Sequence, residues 1–356
     1  MKFSLLFEMQ ISEPTRERER QMFLDCVEQA VLADQVGFDG VWEVEHHGLY
    51  EYSHSSAPEV FLAYVAAKTK RLRLGHGITL TPHRYNHPIR IAERIATLDI
   101  LSDGRVNWGS GKSSSAVEKV AFENRVDELH DQWLEALQII PQMWQQDVFQ
   151  FKGRFYNIAP TQVVPKPVQR PHPPLYAACS KPESAASVGA LGIGALNFAL
   201  GTDEFLTQKV ADYRRAVGAA QPTNFQKNNR FACTPPTLVL PDDREACRHG
   251  FRGARFFAES MATYYFGSQR PIGRLNVPRG FLEEDDLQAA MAFRGASGSQ
   301  CNAIIGDPAA ACEMVQRFVE TGVDELICVM QMGTVPHELV LQSIRTFGEQ
   351  VIPRFR

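Results

Sequence analysis

Residues 105–115 read Arg105-Val-Asn-Trp-Gly-Ser-Gly-Lys-Ser-Ser-Ser115. A short β-rich run, 105–108, passes straight into a turn of glycine and serine that contains Gly-Lys-Ser. Two folds compete for this stretch. A strand followed by Gly-Lys-Ser is the start of a triphosphate-binding open sheet only when a second glycine stands five residues before the Gly of Gly-Lys-Ser. That position holds Val106, so the loop is too short to wrap two phosphates. What remains is a turn with exposed amides that can hold one phosphate, or a plain strand-to-helix turn.

On both sides of this turn, short β-rich runs alternate with longer amphipathic ones. Strands are expected at 2–8, 40–45, 72–80, 105–108, 174–178, 194–198, 231–240 and 325–330. Helices are expected at 18–36, 58–69, 88–101, 123–144, 182–190, 203–217, from 242 onward, at 308–321 and at 336–351. Pro58 and Pro88 sit where a helix tolerates proline, in its first turn. Residues 148–157 alternate around Lys152-Gly153, the pattern of an inserted β-hairpin. Residues 266–299 are irregular and rich in Gly, Arg and Pro. Strands that alternate with helices imply a parallel sheet, and eight such units fit an α/β fold of the (β/α)8 TIM-barrel type with insertions. A doubly wound open sheet is the alternative. It usually places a glycine fingerprint after the first strand, where this chain has Met9-Gln-Ile-Ser-Glu-Pro14. No stretch reads as a domain linker, so residues 1–356 are expected to form a single domain.

The chain has 356 residues, 44% hydrophobic and 22% charged, with a formal net charge of −4. That balance gives no electrostatic case for a nucleic-acid partner. The seven cysteines, at 26, 179, 233, 247, 301, 312 and 328, form no Cys-x-x-Cys pair, which fits reduced thiols better than a disulfide framework or zinc site. The sequence shows no signal peptide and no 18-residue apolar span, so a cytoplasmic protein without membrane contact is expected.

Ligands of a barrel bind at the C-terminal ends of its strands. The second strand ends in Trp42-Glu-Val-Glu-His-His47. Adjacent strand residues point to opposite faces, so His46 and His47 do not readily share one metal ion, and no supporting ligand cluster is present. One of them in the barrel mouth would serve as acid, base or hydrogen-bond donor. The other reading is a pair of rim histidines with structural hydrogen bonds. Gly75 and Gly77 flank His76 within a strand, which marks a close backbone approach to a ligand or a packing need at a bend. Ser180 and Ser184 bracket the helix start at Pro182, where hydroxyls and amides can hold an anion or simply cap the helix.

The ordered set of motifs resembles the bacterial luciferase-like family of flavin-dependent monooxygenases, nearly end to end. The matching pieces are Met1-Lys-Phe, Gly37-Phe-Asp-Gly-Val-Trp42, Glu45-His-His47, His87-Pro-Ile-Arg90 and Leu98-Asp-Ile-Leu-Ser-Asp-Gly-Arg105. Gly306-Asp-Pro308, Gly322-Val-Asp324 and Phe347-Gly-Glu-Gln-Val-Ile-Pro353 follow. The family fold is a (β/α)8 barrel. The resemblance implies that the opening turn holds the phosphate of FMN. It places Ser110 beside the flavin, with Gly111, Lys112 and Ser113 along the phosphate turn and Ser180 at the neighbouring one, where Ser184 at the same helix start is the further cofactor-binding candidate. It places Glu45 among the cofactor-binding residues, a strained non-proline cis peptide at Gly77-Ile78 under the ring, Phe198 in place of a flavin-facing tryptophan, and His46 as the catalytic histidine.

The chain also departs from the family. Gly111 stands where luciferase has Arg, Cys179 where it has Glu and Ser110 where it has Cys, so light emission from a long-chain aldehyde is not expected. Lys112 is the candidate replacement for the lost cation. The 266–299 segment corresponds to a mobile loop that closes over the flavin, and its Arg270, Arg274 and Arg279 suit either an anionic substrate or loop solubility.

The implied activity is a two-component monooxygenase. Reduced FMN comes from a separate flavin reductase, reacts with O2 and oxygenates a small organic substrate through a peroxyflavin. A deazaflavin-dependent hydride-transfer enzyme on the same fold is the first alternative. A non-catalytic flavin-binding subunit is the second, against which the intact Glu45-His-His47 speaks. No metal is implied. A homodimer through the helices after strands two and three is expected.

Overall fold

The computed structural model describes residues 1–179, 181, 183–199, 201–221, 223–266, 288 and 302–356. Eight parallel strands close into a barrel. They are β1 (Lys2–Phe7), β2 (Gly40–Glu43), β3 (Arg73–Leu80), β4 (Val106–Gly111), β7 (Leu175–Cys179), β8 (Gly194–Phe198), β9 (Phe231–Thr234) and β12 (Glu325–Cys328). Each adjoining pair is parallel, and β12 closes on β1 with Lys2 opposite Glu325. The antiparallel pair β5 (Phe149–Lys152) and β6 (Asn157–Thr161) is the inserted hairpin.

Helices run between the strands: α1 (Arg16–Val36), α2 (Pro58–Lys68), α3 (Pro88–Leu101), α4 (Ala116–Ala121), α5 (Leu129–Gln145), α6 (Ser184–Ala190), α7 (Asp203–Ala219), α8 (Asp243–Phe266), α9 (Pro308–Glu320) and α10 (His337–Thr346). Their starts follow local chemistry. Thr15 accepts from Arg18 N–H, Ser115 from Val117 N–H and Asp307 from Ala310 N–H, each satisfying a donor that has no partner inside the helix. Gly37 ends α1 at φ 103°, a left-handed conformation that glycine adopts without strain.

Three expectations need correction. The single strand at 231–240 is two, because Pro235 and Pro236 cannot donate to a ladder. The second piece, β10 (Thr237–Val239), leaves the barrel to pair with β11 (Ile304–Gly306), a strand not expected from sequence. The helix expected at 123–144 begins only at Leu129, and a separate short helix, α4, precedes it, with Glu123 at φ 52° in the turn between them. The last helix ends at Thr346 and continues as π and 3-10 turns to Phe355. The irregular loop at 266–299 and its three arginines lie outside the described residues, apart from Phe266 and Gln288.

The two-residue period of a strand builds two cores. Phe3, Leu5 and Phe7 of β1 point outward and join the large cluster between barrel and helices. Leu6, Trp42, Tyr176, Leu196 and Ile327 belong to a second cluster inside the barrel. Deep inside the barrel, Glu325 Oε1 accepts from Ser4 Oγ at 2.6 Å and from Trp42 Nε1 at 2.9 Å. Space for the Trp42 ring comes from Gly75, where a Cβ would fall inside that ring. The barrel is therefore filled at its lower end and hollow at its C-terminal mouth. Among the described residues no helix is long and apolar enough to cross a membrane.

Candidate active site

A cavity of about 510 Å³ opens at the C-terminal mouth, the usual place for a barrel site. Its walls are largely apolar, with Leu6 from β1, Trp42 from β2 and Val44 just past its end, Leu196 from β8 and Ile327 from β12. Gly111 keeps one wall low, because a Cβ there would meet Ile78 Cδ1 at 2.7 Å. A ligand can therefore approach the backbone at the end of β4.

His46 stands just beyond the end of β2 and lines the cavity. Its Nδ1 lies 2.9 Å from Glu118 Oε1, and Glu118 also accepts His47 N–H at 2.9 Å and the Ser113 hydroxyl. A carboxylate accepts only, so the Nδ1 proton stays on the ring and Nε2 faces the cavity side. There Nε2 lies 3.0 Å from the hydroxyl of Tyr265, near the end of α8. The three groups form a chain from a fully buried carboxylate through an imidazole to a phenol on the cavity wall. Burial pulls the pKa of His46 down, but the Glu118 charge and hydrogen bond, with Glu8 and Glu45 behind them, raise it overall. Burial pushes Glu118 up, and the His46 charge and the bonds from His46, Ser113 and His47 N–H bring it below its ordinary value. Both shifts favour imidazolium and carboxylate, which makes the pair a proton store beside the cavity.

Basic residues ring the outer rim. Lys112 has its pKa lowered first by partial burial and then by Lys181 and Lys119. Lys119 Nζ is tied to Ser114 O at 3.0 Å. An anion placed between Lys112 and Lys181 would relieve their repulsion.

The sequence-derived residues divide into three groups. His46, Glu45, Gly77, Ile78, Gly111, Lys112, Ser113 and Phe198 all line the cavity. Glu45 is committed to its surroundings, accepting from Leu80 N–H at 2.8 Å and from Asn86 Nδ2 at 2.8 Å. Ser113 is likewise engaged through Glu118.

Ser110 and Ser184 are not brought to the cavity. Ser110 lies on the outward face of β4, where its hydroxyl accepts from Trp133 Nε1 at 3.1 Å and donates to Tyr176 O at 3.5 Å. Strand alternation turns it away while its neighbour Gly111 faces the mouth. Ser184 closes a turn on Lys181, donating to its carbonyl at 2.6 Å and accepting from its amide.

Ser180 lies outside the described residues. The Gly77-Ile78 peptide is trans, contrary to expectation, and the cis bonds among the described residues are Val164-Pro165 and Arg170-Pro171. A register shift between His76 and Thr79 reshapes the pairing of β3 with β4 at this point.

Glu118, Tyr265 and Glu8 were not singled out from sequence. Glu8 was accessible to the strand-end rule, since it follows β1 directly, while the other two meet His46 only through the fold. Among the described residues no group of three or more His, Cys, Asp or Glu is arranged around a metal position.

Comparison with known proteins agrees with the barrel fold. The family model described as luciferase-like monooxygenase matches residues 1–325. The chain is 32% identical to the oxygenase component of a flavin-dependent trigonelline monooxygenase from Acinetobacter baylyi, over 100% of this chain and 96% of that one. It is 31% identical to an F420-dependent hydroxymycolic acid dehydrogenase from Mycobacterium tuberculosis, over 62% of this chain and 61% of the relative. The crystal structure of monooxygenase RslO1 from Streptomyces bottropensis superimposes with a TM-score of 0.83 at 25% identity, covering 100% of both chains. With the barrel, the cavity at its mouth and a family match across most of its length, this chain belongs to the luciferase-like monooxygenase family.

Proposed function

We propose that the protein is the oxygenase of a two-component system that uses reduced FMN and O2 to oxygenate a small organic substrate. The observation that carries this reading is the joining, in one cavity, of a buried Glu118–His46–Tyr265 chain with a lysine-flanked rim. When bound, reduced FMN would supply the electrons that activate oxygen.

The residues of this chain do the rest. Lys112 and Lys181 take the phosphate at the rim. The apolar walls of Trp42, Leu196 and Phe198 hold a flat ring and keep water away from it. His46 stores a proton that Tyr265 can pass across the cavity wall, and Glu118 keeps the remaining ring proton on Nδ1 so that Nε2 is free to take up the next one.

The relative from Acinetobacter baylyi, named as an oxygenase component, supports a separate reductase as partner. Exposed apolar side chains on α2 and α3, Val60, Tyr64, Ile100 and Leu101, support a homodimer through those helices.

F420-dependent relatives make hydride transfer the second reading. The rim argues for FMN over such a cofactor. With Lys119 tied to Ser114 O, the remaining pair Lys112 and Lys181 suits one phosphate better than a long acidic tail. The test is titration of the purified chain with oxidised FMN, anaerobically reduced FMN and F420. Reduced FMN binding at least about tenfold tighter than oxidised FMN supports the proposal. Binding of F420 with none of either FMN form would overturn it in favour of hydride transfer.

A further inference from the structure

The inner end of the cavity holds a carboxyl group that is not hydrogen-bonded into the Glu118–His46–Tyr265 chain. Glu8 follows the last residue of β1 and is only 1% exposed. Its Oε1 accepts from the Tyr52 hydroxyl at 3.0 Å, but its Oε2 has no hydrogen-bond partner. His46 Nε2 lies 3.8 Å from Oε2 and is already engaged by Tyr265. The other carboxylate on the cavity wall is different, because both oxygens of Glu45 accept hydrogen bonds from the protein. Glu118, behind His46, also has both oxygens occupied. Among the described residues, Glu8 Oε2 is the cavity-lining carboxylate oxygen with capacity to spare.

Burying a carboxylate without a full set of donors is costly. Burial here raises the Glu8 pKa to about 7, against the opposing pull of His46 and the Tyr52 hydrogen bond. A ligand that brings positive charge to Oε2 removes that cost. The walls suit such a ligand, since Trp42, Phe198 and Tyr265 line the same space, and aromatic faces attract cations. The rim has the opposite sign, so an anionic group is drawn outward and a cationic one inward.

We propose that Glu8 is a specificity-determining residue, and that the substrate is a small planar molecule whose cationic nitrogen pairs with Glu8 Oε2 between aromatic walls. This rests on the proposed cofactor reading, because a phosphate at the lysine rim leaves the inner end for the substrate.

The test uses N-methylpyridinium and its neutral isostere toluene as probes. Their binding to the full chain is measured by calorimetry, with and without saturating FMN. The cation is expected to bind at least about tenfold tighter than toluene. Glu8→Gln is expected to remove that preference while leaving toluene affinity within about twofold. Equal affinities in the wild type, no cation binding up to about 10 mM, or a preference that survives in Glu8→Gln each overturn the proposal. Should Glu8→Gln fail to fold, the wild-type comparison still decides. Flavin fluorescence separates the two readings. A chain that binds FMN but shows no cation preference loses only this inference. A chain that prefers the cation but binds no FMN keeps the Glu8 assignment and loses the proposed cofactor.

Discussion

Glu118 Oε1 lies 2.9 Å from His46 Nδ1 and also 2.9 Å from the backbone N of His47, so one oxygen fixes both the imidazole and the turn that carries it. Glu118→Gln keeps an acceptor but removes the charge that raises the His46 pKa. The protonated imidazole is then lost at a lower pH. The alkaline limb of the turnover profile should move toward acid, and turnover at pH 8 should fall by about 10–100-fold. Reduced-FMN affinity should stay within about twofold, because Glu118 does not line the cavity. A limb that does not move would show that another group carries the titration.

Lys112 gives a second prediction, because its charge faces Lys181 and Lys119 with no fixed carboxylate large enough in effect to offset them. Lys112→Ala should weaken FMN by about tenfold and leave riboflavin, which lacks the phosphate, nearly unchanged. The FMN loss should shrink as salt is added, since a rim charge is screened. Equal weakening of both flavins would move the phosphate away from this turn.

Much of the barrel is legible in the sequence, because its strands are short β-rich runs and its helices carry their own start and stop signals. His46 is legible too, as a histidine at a strand end. Its partner is not. Glu118 lies 72 residues further on, in the six-residue helix α4, too short for a helical period to register. Tyr265 is 219 residues from His46 and meets it only because α8 crosses the mouth. Ser110 shows a different limit. A shift of one residue along a strand reverses which side chain faces the ligand, and pattern alone does not fix that register.

Ser110 therefore carries a prediction that separates position from resemblance. Ser110→Ala removes the acceptor of Trp133 Nε1, leaving a buried N–H unpaired. The cost should be about 1–3 kcal/mol in unfolding free energy. FMN affinity should remain within about twofold, since the hydroxyl faces α5 and not the cavity. A loss of FMN binding larger than the loss of stability would place Ser110 back beside the cofactor.

The last prediction concerns stability against pH. The Glu8 pKa is raised to about 7 from an ordinary 4.5, chiefly by burial. Below pH 4.5 the group is protonated in both the folded and the unfolded chain, and its contribution is fully present. As pH rises toward 7 the unfolded chain gives up this proton and the folded chain retains it, so stability falls until the folded group also ionises. Glu8→Gln has no proton to lose. Its stability relative to wild type should therefore rise from pH 5 and level off above pH 7, by on the order of 3 kcal/mol if no ligand is present. Thermal unfolding of both proteins across that range reads the difference directly. A gap that stays constant from pH 5 to pH 8 would mean that Glu8 ionises at its ordinary value, with water or another donor already serving Oε2. Saturation with a cationic ligand should produce that same constant gap, because a paired carboxylate has no reason to hold its proton.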